Sequence, residues 1–316
     1  MPINVHLPQC LDSIIYDKFK AVYEPRPLDV VSNLYQPYDF VKLYLGTYFP
    51  RSFAEAYCIM LKLLQNPRYK AVISQIESIN ILDFCCGTGG EIFGMICVLC
   101  SSFPNLKRIN IDAIDGNVDA LRYLYHLQEA LKTSGNIRVE LYITPLCLSV
   151  ETEQDMADLI KMLNMRYHYI LSFKALNEFV QKNTLSNENV YGKITAFLLP
   201  LLMSNGSFIL SDVTSKHCDK YYPELMNKGI NDALRVNPNY KSIIPYSCYY
   251  MEAQCVEGCY MQDMFMVSHS RKEKDKTKVA YRILCNKDFA DAVMTGTCQS
   301  ICKVVDYSAD KSAPYR

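Results

Sequence analysis

Between residues 79 and 212, short apolar runs alternate with segments of helical periodicity, and this alternation constrains the fold more than any other feature. The runs have the length of strands and are continuously apolar, as expected for parallel strands covered on both faces. They are Ile79–Phe84, Ile109–Ile114, Ile137–Ile143, His168–Phe173 and Ser207–Asp212. Strands that alternate with helices form βαβ units. The sequence therefore predicts a doubly wound, mostly parallel α/β sheet.

Composition narrows the class of protein. Half of the 316 residues are hydrophobic, which excludes global disorder, and 33 basic residues balance 33 acidic ones. Because the net charge is zero, a basic field over the whole chain, of the kind that drives non-specific nucleic-acid binding, is excluded. The start of the chain has no secretory signal, and no apolar run is long enough to span a bilayer. We therefore expect a cytoplasmic location, reduced thiols for the fourteen cysteines and no membrane partner.

Pattern changes along the chain predict three parts. Residues 1–75 form a helical extension or lid, residues 76–284 the sheet domain and residues 285–316 a C-terminal extension. In the first part, apolar spacing predicts a helix over residues 51–65, with Ser52 as its N-cap.

Several finer elements are predicted in the second part. Thr152 and Asp155 form a cap pair, and residues 190–203 form a helix. Residues 241–250 and 263–268 form a closing antiparallel pair. The charged run at residues 271–278 (RKEKDKTK) is a solvated loop or hairpin tip.

The segment Ile81–Gly90 (ILDFCCGTGG) passes from a strand through a glycine-rich turn into a helix. Gly87 and Gly89 allow backbone conformations that other residues avoid, and they leave room for a ligand. Neither the dinucleotide pattern nor the phosphate-loop pattern fits this turn. The second strand ends at Asp115, where an acid can accept hydrogen bonds from ribose hydroxyls. A helix cap is the alternative role for Asp115, although Asn117 can supply that cap.

These segments together resemble class I S-adenosylmethionine-dependent methyltransferases. LDFCCGTGG is similar to the first motif of that family, L-D-x-G-x-G-T-G, and IDAIDGNVDAL to the second. YHYILSFKALNEF and LLPLLMSNGSFILSDV resemble the regions of the fourth and fifth strands. The resemblance covers about residues 75–215. It implies a Rossmann-like methyltransferase fold with a seven-stranded sheet, and S-adenosylmethionine as the cofactor.

The resemblance also implies a set of cofactor-binding residues. They are Asp83, Cys85, Gly87, Gly89, Asp115, Gly116, Leu146 and Phe173, with Cys85 in place of the customary first glycine. The methionine moiety would lie against the glycine turn, the ribose against Asp115 and the adenine near Leu146. The sulfonium would face Phe173. No acid is evident in residues 144–147, so backbone and apolar contacts would hold the adenine.

Methyl transfer is a displacement at a sulfonium, and it needs positioning and, for some acceptors, deprotonation. Residues after the fourth strand usually face the acceptor, so Lys174, Asn177 and Glu178 are the candidate catalytic residues. A solvated helix face is the alternative for Lys174 and Glu178. The acceptor is a small molecule or RNA. A nicotinamide-dependent oxidoreductase would need a better G-x-G-x-x-G pattern and a Tyr/Lys pair or a histidine as the proton donor, and we find no such arrangement at useful spacing.

A weaker resemblance concerns Tyr44–Tyr57. This segment is similar to the helical lead-in of methyltransferase-like proteins that assist assembly of the mitochondrial ribosomal small subunit. It implies substrate contacts by Tyr48 and Arg51, although Arg51 can instead pair with Glu55. The alternative function is a non-catalytic binding or ribosome-assembly protein with a methyltransferase fold.

That family also has a cysteine-rich insertion, and this chain has Cys248, Cys255 and Cys259 there. Paired C-x2-C knuckles are missing, so reduced thiols and no metal are predicted. The alternative is a metal site at these three cysteines with His269 or Cys285 as the fourth ligand.

Overall fold

The computed structural model describes residues 4–25, 38–135, 137–185, 189–217, 220–251 and 262–297. Eleven strands lie in this part of the chain. They are β1 Asn4–His6, β2 Ser78–Phe84, β3 Arg108–Asp115, β4 Glu140–Cys147, β5 Tyr167–Phe173, β6 Leu202–Val213, β7 Lys216–His217, β8 Lys220–Tyr221, β9 Tyr240–Ile244, β10 Gln262–His269 and β11 Lys272–Asn286.

The described residues also form twelve α-helices, with a π-helical turn at Ile14–Lys18 and a 3-10 turn at Leu199–Leu201. The helices are α1 Gln9–Ser13, α2 Tyr38–Thr47, α3 Phe49–Leu64, α4 Pro67–Ile73, α5 Gly90–Ser102, α6 Val118–Ser134, α7 Glu153–Met162, α8 Leu176–Lys182, α9 Val190–Leu198, α10 Tyr222–Val236, α11 Tyr246–Met251 and α12 Lys287–Met294. None of the described helices is long and apolar enough to cross a membrane.

Nine of the strands form one sheet in the order β1-β10-β11-β6-β5-β2-β3-β4, with β9 paired to β11. Five neighbouring strands of this sheet, β6-β5-β2-β3-β4, are parallel, and β11 runs antiparallel to β6. The predicted doubly wound, mostly parallel fold is confirmed. The sheet has nine strands rather than seven, because β1 extends the far edge and β9 adds to β11.

Helices cover both faces of the sheet and create two hydrophobic clusters. One cluster packs α3, α5 and α6 against side chains such as Ile81 and Leu171. The other packs α7, α9 and α10 against side chains such as Leu82 and Ile170. Neighbouring residues of one strand therefore belong to different clusters, as the alternation of strand side chains requires. Burial of each large aliphatic side chain contributes roughly 1.5–3 kcal/mol.

Helix α3 packs very closely on α5. A Cβ atom at Gly90 would lie 2.5 Å from the carbonyl oxygen of Phe49, and one at Gly94 would lie 2.3 Å from that of Phe53. Only glycine allows this approach. The first hydrophobic cluster also contains residues from Val5 to Met294, so it crosses the predicted domain boundaries at 75 and 284. Those boundaries stay a prediction.

The start of α3 differs from the sequence prediction. The helix begins at Phe49 after Tyr48, and Ser52 lies inside it as a buried residue. The predicted Ser52 cap is therefore wrong. Pro50 accounts for the earlier start, because its fixed φ and missing N–H suit the first helical turn. The Thr152–Asp155 capping box of α7 is confirmed.

Two proline residues account for other differences. The helix predicted over residues 190–203 ends at Leu198, and Pro200 lies in the 3-10 turn before β6. Strand β4 runs from Glu140 to Cys147, later than predicted, and it contains Pro145. An edge strand has no partner strand on its outer side, so a proline there can lack an N–H without breaking a hydrogen bond to a neighbour.

The C-terminal part of the sheet also corrects the prediction. Strand β10 pairs with β11 and not with residues 241–250, which divide between β9 and α11. The charged run at residues 271–278 lies at the tip of the β10–β11 hairpin, which agrees with one of the two predicted alternatives, but nearly all of it forms the first half of β11 rather than a loop. Asp275 within it is buried while its neighbours are exposed. The alternation allows a charged segment to form a strand.

Candidate active site

A cavity of about 420 Å³ lies at the carboxyl ends of β2, β3 and β5. The strand order reverses between β2 and β5, and such a reversal creates the crevice in which α/β sheets bind ligands. Five charged side chains line the cavity. They are Asp115, Glu151, Lys174, Glu178 and Lys182.

The glycine-rich turn forms one wall of this cavity. Gly87 has φ +51° and lines it, and Gly89 has φ +80° as the N-cap of α5. Cys85 also lines the cavity, and its φ of +63° is the left-handed conformation that the customary glycine would favour. A non-glycine residue there stores roughly 1–3 kcal/mol of strain. The surrounding structure therefore imposes the turn even where the sequence departs from the motif.

Asp115 ties the turn to the end of β3. Its Oδ2 accepts a hydrogen bond from the N–H of Gly87 at 2.7 Å, and its Oδ1 accepts one from Asn117 at 2.8 Å. Asn117 caps α6 by accepting hydrogen bonds from Asp119 and Ala120, so Asp115 is not needed as the cap. Burial raises the pKa of Asp115, and the two amides oppose that rise. Asp115 lies beside Gly116 in the cavity wall, as the resemblance implies.

The loop after β4 supplies cavity residues that the sequence pattern did not predict. Leu146 is half-buried and is not among the described residues that line the cavity, whereas Leu148, Val150 and Glu151 line it. The N–H of Leu148 donates to the carbonyl oxygen of Asp115 at 3.0 Å, which fixes this loop beside the site. The sequence pattern predicts the end of this strand at Ile143 and shows no acid in residues 144–147, but β4 continues to Cys147, so the loop that follows the strand begins later. An acid, Glu151, thus stands where none was expected.

Lys174 follows β5 in the left-handed conformation, with φ +53°. Its Nζ lies 2.9 Å from Oε2 of Glu55 on α3, and the two side chains are only 11% and 0% exposed. Thr277 of β11 also donates to the Glu55 carboxylate. A solvated helix face is therefore wrong for Lys174. The alternative pairing of Arg51 with Glu55 is wrong too, because Glu55 pairs with Lys174.

Asn177 holds the turn that carries Lys174. Its backbone N–H donates to Oδ2 of Asp212 at 2.9 Å. Its side-chain amide, in the orientation that satisfies both neighbours, donates to the carbonyl oxygen of Lys174 and to Asp212. Burial raises the pKa of Asp212 to about 7. Asn177 is outside the described cavity lining, while Glu178 is half-buried and lines it.

Two buried acids lie near the turn. Asp83 is fully buried, and neither of its carboxylate oxygens has a hydrogen-bond partner among the described residues. Burial, and then Glu91 and Asp115, raise the pKa of Asp83 well above its usual value. Burial raises the pKa of Glu91 to about 8. In the described structure Asp83, Gly89 and Phe173 do not line the cavity; Phe173 is a core residue.

Tyr48 and Arg51 lie outside the cavity lining formed by the described residues. Nε and Nη2 of Arg51 donate to Asp275 at 2.8 and 2.9 Å, and its guanidinium lies 5.6 Å from the ring centre of Tyr48. Burial alone would raise the pKa of Asp275, but His269 and Arg51 lower it to about 2. Tyr44, one helical turn before Tyr48, lines the cavity instead. Its position within the Tyr44–Tyr57 segment was the signal available in the sequence.

The predicted cysteine positions fall partly outside the described residues, as Cys255 and Cys259 do. Cys248 is half-buried. Within the described ranges, no three His, Cys, Asp or Glu side chains are grouped so that they could hold a metal ion.

Comparison with known proteins gives distant structural similarity only. No family model matches the chain, and no curated protein matches it. A S-adenosylmethionine-dependent methyltransferase from Clostridium acetobutylicum ATCC 824 is similar, with 13% identity, 78% of this chain and 96% of that chain covered, and a TM-score of 0.40.

Two further solved structures are similar. A putative class I S-adenosylmethionine-dependent methyltransferase from Listeria monocytogenes has 9% identity, coverage of 83% and 69%, and a TM-score of 0.45. A putative rRNA-methylase from Clostridium thermocellum has 9% identity, coverage of 69% and 94%, and a TM-score of 0.36. All three scores lie below 0.5, so none of them decides what this chain does.

Proposed function

We propose that the chain is a S-adenosylmethionine-dependent methyltransferase whose cofactor binds in the cavity at the carboxyl ends of β2, β3 and β5. The observation that carries the proposal is the bond between Asp115 and the N–H of Gly87. It joins the two strand ends whose motifs resemble the family, at the point where the strand order reverses.

The residues present fit this cofactor. A volume of about 420 Å³ lies within the roughly 300–1,000 Å³ typical of sites for molecules of this size. Apolar side chains such as Phe84, Ile114 and Val150 offer a surface for the adenine ring. Each Asp115 oxygen accepts one backbone hydrogen bond and keeps acceptor capacity for ribose hydroxyls. Gly87 lines the cavity at φ +51° without a side chain, so its backbone is open to close approach by the cofactor.

The bound cofactor supplies a methyl group on a sulfonium, which is a good leaving group. The chain must then bring the acceptor into line and exclude water. Lys174 lines the cavity with its ammonium group held by Glu55, so it suits donation of a hydrogen bond to an acceptor rather than removal of a proton. Glu178 lies in the same wall and is the candidate for taking up a proton. Asn177 helps to position Lys174 and the adjoining Glu178, because its side-chain amide donates to the carbonyl oxygen of Lys174.

Calorimetry with S-adenosylmethionine and with NADH tests the cofactor. We expect micromolar binding of S-adenosylmethionine and none of NADH. Asp115→Ala should weaken binding by about tenfold to a hundredfold, because ribose hydroxyls and the Gly87 amide would lose their acceptor. The matched control is Asp119→Ala, which removes a carboxylate that pairs with Arg122 and lies outside the described cavity lining.

Equal affinity in Asp115→Ala and Asp119→Ala would refute the ribose assignment. Release of labelled methyl groups to RNA, protein and metabolite pools then tests catalysis. Binding of the cofactor without transfer to any of these pools would favour the non-catalytic alternative.

A further inference from the structure

The first half of β11 presents lysines to solvent. Lys276 and Lys278 are exposed at alternate positions, and between them Thr277 turns to the opposite face, where it bonds Glu55. Lys272 and Lys274 precede them and are exposed as well. Although the whole chain is neutral, five basic residues stand against two acids in residues 271–278. One of those acids, Asp275, is already neutralised by Arg51.

Within the described residues none of these four lysines has an ion-pair partner, whereas Lys107 pairs with Glu77 and Lys161 with Asp158. The exposed Lys70 and Lys228 have no ion-pair partner either, but they stand singly, whereas the four lysines lie together on one short segment. Their positive charge is therefore not compensated by the fold. We call the exposed face of Lys272, Lys274, Lys276 and Lys278 the lysine face.

The lysine face projects past the active-site edge of the sheet. Val279 of β11 is the register partner of Val213, the last residue of β6. Because β11 runs antiparallel to β6, residues 272–278 extend beyond the carboxyl ends of the parallel strands. Contacts connect this extension to the cavity. Thr277 bonds Glu55, and Glu55 pairs with Lys174, which lines the cavity.

The chemistry of this face fits a single strand of RNA. Lys276 and Lys278 are alternate residues of a regular stretch of β11 and so lie about 6.7 Å apart, close to the spacing of successive phosphates along an extended RNA strand. Lys272 and Lys274 lie at the bulge of β11, where Lys274 has φ +55°, so they extend the positive charge without that regular spacing. Met264 lies opposite Lys278 and is 45% exposed, and Met266 lies opposite Lys276. Polarisable methionine side chains between cations offer apolar surface to unstacked bases.

We propose that the lysine face binds the phosphate backbone of single-stranded RNA and that RNA carries the acceptor of the methyl group. The binding surface stands on its own geometry, while the acceptor assignment rests on the proposed methyltransferase function.

The test uses the full chain and a short unstructured RNA, with affinity measured by fluorescence anisotropy over a salt titration. Four lysine–phosphate contacts predict a slope of log affinity against log salt near about −3. The variant Lys276→Gln/Lys278→Gln should reduce the slope by about 1.4 and weaken binding about tenfold. The control Lys107→Gln/Lys161→Gln removes the same charge from two lysines that are each 70% exposed, and it should change neither quantity.

Equal loss in both variants, or no salt-dependent RNA binding, would overturn the inference and leave the lysines as a solvated face. Tighter binding of polyglutamate, or of phosphatidylserine vesicles, than of RNA would overturn it in favour of an acidic protein or a membrane. Calorimetry with S-adenosylmethionine separates the two proposals. RNA binding that depends on Lys276 and Lys278 without cofactor binding would uphold the surface and refute the enzyme.

Discussion

The two halves of the candidate site are built differently. In the cofactor half, Gly87, Asp115 and Asn117 lie within two consecutive strand-and-helix units, and their contacts are hydrogen bonds to backbone amides. In the acceptor half, Lys174 contacts Glu55 of α3, which lies 119 positions earlier in the chain. Glu55 in turn accepts a hydrogen bond from Thr277 of β11, which lies 222 positions after Glu55. The cofactor half therefore follows from local sequence, whereas the acceptor half depends on tertiary packing.

Substitution of Lys174 should have the largest effect on stability, because it tests the buried tertiary pair on which the acceptor half depends. Lys174→Met would leave the Glu55 carboxylate buried without its cation, and we expect the free energy of unfolding to fall by about 3–5 kcal/mol. Urea unfolding measures this loss. The double variant Lys174→Met/Glu55→Gln should recover much of it, because no unpaired charge then remains. A loss below about 1 kcal/mol, as for exposed pairs, would show that the pair is not buried in solution.

The glycines of α5 test whether packing joins the two halves. Gly94→Ala would place a Cβ atom 2.3 Å from the Phe53 carbonyl oxygen, and we expect a loss of about 2–3 kcal/mol in unfolding free energy. Alanine favours a helix over glycine, so any loss must come from the clash. Gly135→Ala is the control: it has nothing within 4 Å and carries only the strain of φ +68°, about 1 kcal/mol. A stabilised Gly94→Ala variant would contradict the close approach of α3.

Titration separates the buried acids from the paired one. The pKa values of Asp212 and Glu91 are raised to about 7 and about 8, so their folded forms bind protons that the unfolded chain has released. Their contribution to stability is complete below about pH 4 and is lost as pH rises through 7 and 8. The unfolding free energy should therefore fall between pH 5 and pH 8, by at most about 1.4 kcal/mol per pH unit for each group.

Asp275 has the opposite sign. Its pKa is lowered to about 2, so its contribution is present above about pH 4 and is lost only as pH falls through 2. Urea unfolding at pH 5, 6, 7 and 8 is the measurement. Asp212→Asn and Glu91→Gln should flatten the slope, while Asp275→Asn should leave it unchanged. The same slope in all three variants would show that neither buried acid titrates in this range.

Much of the fold could be predicted from the sequence because its signals are local. Continuous apolar runs marked β2, β3 and β5, and the glycine turn marked the cavity wall. The cap pair Thr152–Asp155 was predictable because both partners lie within one helical turn. Strand ends were less predictable where proline lies on an edge strand, and the late end of β4 concealed Glu151.

The acceptor side could not be predicted in the same way. Lys174 has the composition of a solvated residue, and only its tertiary partner Glu55 makes it part of a buried pair. The run at residues 271–278 has the composition of a loop, and no sequence signal marks Asp275 within it as the partner of Arg51. In both cases a distant opposite charge determines the structure.

The direct backbone contact of α3 with α5 has a consequence for the cavity wall. Two helices that meet at glycine residues cannot slide past one another without opening a void between them, so Glu55 of α3 keeps a fixed position relative to α5. Because Glu55 holds the Lys174 ammonium group, that group is anchored beside the cavity through the packing of two helices that do not themselves touch the cavity at Glu55. A substitution at Gly94 would therefore disturb the cavity from a distance, by moving the carboxylate that anchors Lys174.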